Sequence, residues 1–284
     1  MFTDIHPVNR NAIVKMVELL KLKGYSNNTI KTYRNEFVQF LTALRNKPVD
    51  NCDAQKVRSY MLYCYEHLNL TENTLHSRLN ALKFYFEQVL HREKFFVDIP
   101  RPKKHLKLPK TIHSNDIKKM FEATVNLKHN TILKLCYGMG LRLSEIINIK
   151  IEDIDSRNMQ VFIERGKGKK DRYVNLPQSI LEQLRAYYRE YRPQKYLFEG
   201  QGGGQYSRRS VQKVFKNSLQ KAKINKRVGI HSLRHSYATH LLEHGTDIRF
   251  IQELLGHNDI KTTLIYTDVT QNSIRKIISP LDKL

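Results

Sequence analysis

Residues 99–110 read IPRPKKHLKLPK, and neither a helix nor a sheet interior can run through them. Pro100, Pro102 and Pro109 each lack a backbone donor and lock φ, so the stretch has to be extended. Its five Lys and Arg residues keep it in water or along a polyanion. The chain therefore has to fold on either side of a basic linker. We expect one unit over residues 1–98, the linker over 99–110, and a second unit over 111–284 that ends in a tail at 270–284. Each part is long enough to bury a core of its own.

The first part repeats one pattern, apolar residues every three or four positions. Ile13, Met16, Val17 and Leu20 form one stripe, and Ile30, Tyr33, Phe37, Phe40, Leu41 and Leu44 a second, behind the polar run Ser26-Asn27-Asn28-Thr29. Val57, Tyr60, Met61 and Cys64 begin a third, and Leu75, Leu79, Leu82, Phe86, Val89 and Leu90 make a fourth, opened by Thr71 or Asn73. This spacing predicts four half-buried helices, enough for a compact bundle. The second part is also helical, with helices expected near 178–191, 208–222, 231–244, 247–255, 259–266 and 271–278. Its period changes once. MQVFIERGKGKKDRYVNL, residues 159–176, holds two strand-like runs around a basic glycine turn. That predicts a hairpin, with a third strand near Ile149–Ile154. The fold class is thus mainly α with a small antiparallel β-sheet: a four-helix N-terminal domain, then an α+β domain.

Charge narrows the partners. The 284 residues carry 49 Lys and Arg against 27 Asp and Glu, a formal net charge of +22. The excess is 18 basic against 10 acidic residues up to 109, and 31 against 17 beyond, so neither half is a mere basic tail. Nucleic acid is the natural counterpart, because each phosphate contacted releases counterions. No apolar run approaches a membrane span, no basic amphipathic tail suggests a membrane surface, and the N-terminus lacks a signal peptide's apolar core. Cys52, Cys64 and Cys136 form no CxxC pair. These features predict a soluble cytoplasmic protein without a disulfide framework.

The residues fit for chemistry lie in the second part. His231 and Arg234 are three apart at the expected start of a helix, where free amides favour an anion. Leu255-Gly256-His257 follows, then Tyr266. Upstream, Arg142 sits in the apolar run Gly140-Leu141-Arg142-Leu143-Ser144-Glu145, and Lys167 lies between two glycines at the hairpin tip. Each alone is a weak signal. Together, two guanidiniums, two imidazoles, an ammonium and a phenol suit phosphoryl transfer without a metal. Arginines would clamp the non-bridging oxygens, a task elsewhere given to magnesium. Tyr266 would attack, His231 would handle its proton, Lys167 would protonate the leaving 5′ oxygen, and His257 would donate to a phosphate oxygen.

Several runs along the chain carry a resemblance. His231-Ser-Leu-Arg234-His235-Ser-Tyr-Ala-Thr-His, with Glu253-Leu-Leu-Gly-His257 and Thr262-Thr-Leu-Ile-Tyr266-Thr, closely resembles the catalytic signature of tyrosine recombinases. Gly140-Leu-Arg142-Leu-Ser-Glu145 resembles that family's first arginine box, and Gly166-Lys167-Gly168 with Arg172 and Leu176-Pro177 its lysine hairpin. Tyr25-Ser26-Asn27-Asn28-Thr29 with Tyr33-Arg34, and Ser77 to Lys83, resemble the core-binding domain of Xer-type and integron-type members. The resemblance implies Tyr266 as nucleophile, helped by Arg142, Lys167, His231, Arg234 and His257, with no cofactor. It also implies duplex DNA as partner, a tetramer on two sites, and strand exchange through a Holliday junction. Asp268 stands where many relatives have His, and Met139 replaces a frequent Thr; neither removes a catalytic group.

Other readings compete. His231/His235 and His240/His244 have the i, i+4 spacing of metal ligands, but no HExxH or neighbouring carboxylate pair supports a metal nuclease. His235 and His240 read better as structural or surface residues. A type IB topoisomerase shares the phosphotyrosine chemistry, and a regulator without catalysis would keep only the DNA affinity. Lys31, Arg78 and Lys83 are the DNA contacts we expect in the first domain.

Overall fold

The computed structural model describes residues 5–92, 99–101, 108–164 and 171–267. Lys167, part of the linker and the tail beyond residue 267 therefore lie outside the described residues. The chain divides into two compact units, Met1–Leu106 and Lys107–Leu284.

The first unit is built from α1 (Arg10–Leu22), α2 (Asn27–Leu44), α3 (Ala54–Glu66) and α4 (Glu72–Lys83). Ser26, Asp53 and Thr71 cap α2, α3 and α4, accepting hydrogen bonds from the amides of Thr29, Lys56 and Thr74. The four stripes meet in one core, with Met16, Leu20, Phe37, Phe40, Leu41 and Leu82 fully buried. After α4 the helix widens into a π turn over Phe84–Val89. Phe84, Tyr85 and Phe86 are all buried. An ordinary helix turns consecutive residues to different sides, and the wider turn changes that angle. The Tyr85 hydroxyl donates to Asp50 Oδ1 at 2.7 Å.

The second unit opens with α5 (Ser114–Glu122), α6 (Leu127–Gly138) and α7 (Leu143–Asn148). Strands β1 (Ile154–Asp155), β2 (Gln160–Ile163) and β3 (Arg172–Asn175) form an antiparallel sheet in that order. Then come α8 (Gln178–Tyr191), α9 (Arg208–Lys221), α10 (His231–Glu243), α11 (Ile248–Leu255) and the short α12 (Lys261–Leu264). One core takes Ile132, Leu133, Met139, Ile146, Val161, Val174, Phe198 and Leu233. A smaller cluster holds Ala238, Ile251, Leu255 and Tyr266.

Two local expectations change. The third strand is expected near 149–154, yet only its last residue is in β1, because Ile151–Asp153 is a 3-10 turn. The backbone just before that turn bonds elsewhere: Leu197 donates to the Ile149 carbonyl at 2.8 Å, and Ile151 donates to that of Lys195 at 3.2 Å. The helix expected over 259–266 shrinks to one turn ahead of Tyr266. Among the described residues, no helix is long and apolar enough to cross a membrane.

Candidate active site

Gly140 ends the chain's passage from α6 to α7 at φ +58°, and a Cβ there would lie 2.5 Å from the Tyr237 ring. Only glycine fits this approach. The turn places Arg142 at the N-cap of α7, and Glu145, one turn on, folds back to accept from the Arg142 amide at 2.9 Å and from its Nη1 at 2.7 Å. Glu145 also accepts from Arg172 on β3, through both terminal nitrogens at 2.9 Å. Its carboxylate is only 4% exposed. Burial works to raise its pKa, but the hydrogen bonds and charge of Arg172, then of Arg142, hold it down at about 2.

Arg234 reaches this cluster from α10. Its Nη1 donates to the Gly140 carbonyl and its Nη2 to that of Leu255, both at 2.6 Å, and Glu145 lies 4.0 Å away. Burial, followed by the charge of Arg142, lowers its pKa to about 9. Gly256, at φ +60°, closes α11 and presents its carbonyl to Arg142 Nη2 at 3.1 Å. Three guanidiniums thus share one carboxylate, an unbalanced positive cluster suited to an anion.

His257 is the next layer. Its Nε2 accepts from Arg234 Nη2 at 3.1 Å, which puts the ring proton on Nδ1, where Thr263 Oγ1 lies at 2.9 Å. The His257 ring stacks on Tyr266 with centroids 6.4 Å apart and 14° between planes. Tyr266 itself is 1% exposed. Burial raises its pKa, against the lowering by Arg234 and Arg142. Its hydroxyl lies 3.1 Å from His235 Nδ1. His231, the first residue of α10, is exposed at its outer side. Desolvation, then the charges of Arg234 and Arg142, lower its pKa below the ordinary histidine value.

Five of the six sequence-derived catalytic candidates therefore converge: Arg142, His231, Arg234, His257 and Tyr266. Two family models match the chain, one over this stretch and one over most of the first unit. Residues 110–273 match the model of the phage integrase family, and residues 13–94 match that of the phage integrase N-terminal SAM-like domain. This chain belongs to the phage integrase family. A putative integrase/recombinase, y4qK, of Sinorhizobium fredii is 36% identical over 95% of this chain and 88% of its own length. Tyrosine recombinase XerD of Staphylococcus epidermidis is 35% identical over 90% of this chain and 92% of its own. The crystal structure of XerA recombinase matches 94% of this chain and 96% of its own at 27% identity, with a TM-score of 0.55. As a member of the phage integrase family with these relatives, the chain is a tyrosine recombinase.

Three side chains of this integrase-family site carry no role in the sequence reading. Glu145 had a signal, a lone acid three residues after an arginine in an apolar run. Arg172 had a weaker one, its place in the strand beside the lysine turn. His235, read as structural or surface, meets the tyrosine. The i, i+4 relation to His231 was visible, but the sequence gives no distance to Tyr266. His240 is bound instead to the Tyr137 hydroxyl at 2.9 Å. Among the described residues, no three His, Cys, Asp or Glu side chains gather as metal ligands would.

One expected DNA contact is corrected. Arg78 is 5% exposed, and its Nε donates to Glu36 at 2.8 Å while its Nη1 meets the Tyr60 hydroxyl at 3.1 Å and Cys64 Sγ at 3.3 Å. The guanidinium holds α4 against α2 and α3 and is not offered to phosphate. Lys31 is exposed, and Lys83 is partly exposed with Glu87 3.5 Å away.

Proposed function

We propose that Tyr266 is the nucleophile of this tyrosine recombinase. Its oxygen attacks a DNA phosphorus, the bond to the 5′ oxygen breaks, and a 3′-phosphotyrosyl ester forms. Arg142 and Arg234 clamp the non-bridging oxygens, and neutral His231 takes the phenol proton. Lys167 delivers a proton to the leaving 5′ oxygen. The 5′ hydroxyl of a second strand then attacks the ester and releases the tyrosine. The ester keeps the energy of the broken bond, so rejoining needs no ATP. The observation that carries this reading is the chain of contacts from Arg142 through Glu145 to Arg234, from Arg234 to His257, and from His257 to the stacked Tyr266 ring.

The partner in this reading is duplex DNA with specific sites. Residues 1–98 grip it through surface cations such as Lys31 and Lys83, and residues 111–284 cut it. On α9, Arg208, Arg209, Lys213 and Lys216 are exposed, and the helix contains no acid. Such a face contacts phosphates, and binding through it weakens steeply with salt. Four copies on two sites exchange strands through a Holliday junction, in integration and excision of a mobile element or in resolution of joined replicons.

Covalent trapping in EDTA tests the chemistry. Wild type and Tyr266→Phe are incubated with nicked duplex selected for binding from a random library, then run on a denaturing gel. A shifted band with wild type alone is expected. A band with both proteins removes Tyr266 from its role, and no band with wild type removes the reading. Relaxation of supercoiled plasmid lacking the selected site would favour topoisomerase-like action.

A further inference from the structure

We propose that His235 is a positioning residue for Tyr266: before attack its Nδ1 accepts the phenol's hydrogen bond and fixes where the oxygen points, and the proton passes to His231 only as attack begins. The inference rests on Tyr266 being the nucleophile.

Tyr266 is almost wholly covered, so its hydroxyl has little access to water, and a buried hydroxyl has to find a partner. Among the described residues, the one side-chain hydrogen-bond partner of this hydroxyl is His235 Nδ1, at 3.1 Å. The other adjacent imidazole is engaged elsewhere. His257 has Arg234 on Nε2 and Thr263 on Nδ1, and it offers the phenol a ring face. The His235 and Tyr266 rings are tilted by 51° with centroids 5.7 Å apart. That is no parallel stack, and the polar contact is the directional part of the meeting.

The direction of the bond depends on the charge and tautomer of His235. His235 is half-buried, and burial, then His231 and Arg234, lowers its pKa. In the tautomer proposed here the neutral imidazole carries its proton on Nε2, offers a lone pair at Nδ1, and receives the phenol's proton in the hydrogen bond. The contact thus joins α10, which carries His231 and Arg234, to the segment after α12 that carries Tyr266. It ties the nucleophile to the helix holding its phosphate clamp. A phenol free to rotate about its own side-chain bonds loses that register, and small misplacements of reacting atoms are costly.

The test uses the full chain and the selected nicked duplex. His235→Phe keeps the ring and removes the acceptor, while His235→Asn places a carbonyl oxygen near the site of Nδ1. Single-turnover formation of the covalent complex, DNA affinity and thermal melting are measured for each. We expect His235→Phe to form the covalent complex about 10- to 100-fold more slowly at saturating DNA, with affinity within about twofold of wild type. His235→Asn should recover most of the rate. A His235→Phe rate equal to or above wild type overturns the proposal. So does His235→Asn as slow as His235→Phe with a native melting curve, since the imidazole would then serve shape alone. If wild type itself forms no covalent complex on DNA that it binds, the reading of Tyr266 falls; if wild type reacts and the variants match it, only the role of His235 falls.

Discussion

Arg172 grips Glu145 with both terminal nitrogens, each 2.9 Å from a different carboxylate oxygen. The pair joins the sheet to α7, and Glu145 in turn orients Arg142. A strand arginine thereby fixes the carboxylate that orients Arg142.

Glu145→Gln should be severely destabilising. It leaves Arg142, Arg172 and Arg234 buried together without their counter-charge, a loss of about 3–5 kcal/mol. Melting of wild type and variant should differ by roughly 10 °C, and the rate of covalent complex formation should fall with it. An unchanged Tm would show that the carboxylate does not hold the cluster.

Gly140→Ala acts on the same cluster from the backbone. The added Cβ would meet the Tyr237 ring at 2.5 Å and strain a residue at φ +58°. Overpacking of this kind costs about 1–3 kcal/mol. It should also shift the carbonyl that receives Arg234 Nη1 and slow strand cleavage. A variant with native Tm and native cleavage would mean that the turn has room the structure does not show.

Arg78 distinguishes a structural from a DNA-contacting arginine. Arg78→Ala strands Glu36 and opens a polar gap beside Tyr60 and Cys64, so it should cost about 3 kcal/mol in stability. At temperatures where the variant is folded, DNA affinity and its salt slope should match wild type. A native Tm with a salt slope lower by about one would restore the phosphate contact.

Acid should destabilise the protein in two windows. Burial lowers the pKa of His129, His231, His235 and His240 below the ordinary value of 6.5. Below 6.5 the unfolded chain takes up protons that the folded one resists, so stability falls as pH drops from there toward the folded values. Glu145 adds a second loss: its contribution is complete above 4.5 and disappears as pH falls through about 2. Melting followed from about pH 7.5 to about pH 5.5 should show a declining Tm, and a flat profile would mean that these histidines are not held neutral.

Much of this molecule was legible along the chain, because it depends on local spacing. Apolar periodicity located the four helices of the first unit and α8 to α11 of the second. Spacing and residue type singled out Arg142, His231, Arg234, His257 and Tyr266. What local spacing could not supply was competition between distant partners. The backbone before β1 bonds to residues 195–197 instead of extending the sheet. Arg78 has the residue type of a DNA contact, yet Glu36, 42 residues away, takes its guanidinium. Arg172, 27 residues from Glu145, supplies the bidentate half of the arginine cluster, and His235 meets a tyrosine 31 residues on. The sequence by itself determined which groups are available and which helices carry them. Only the tertiary structure decided which charges are paired inside and which stay exposed, because desolvation and hydrogen-bond geometry exist only once distant segments are packed together.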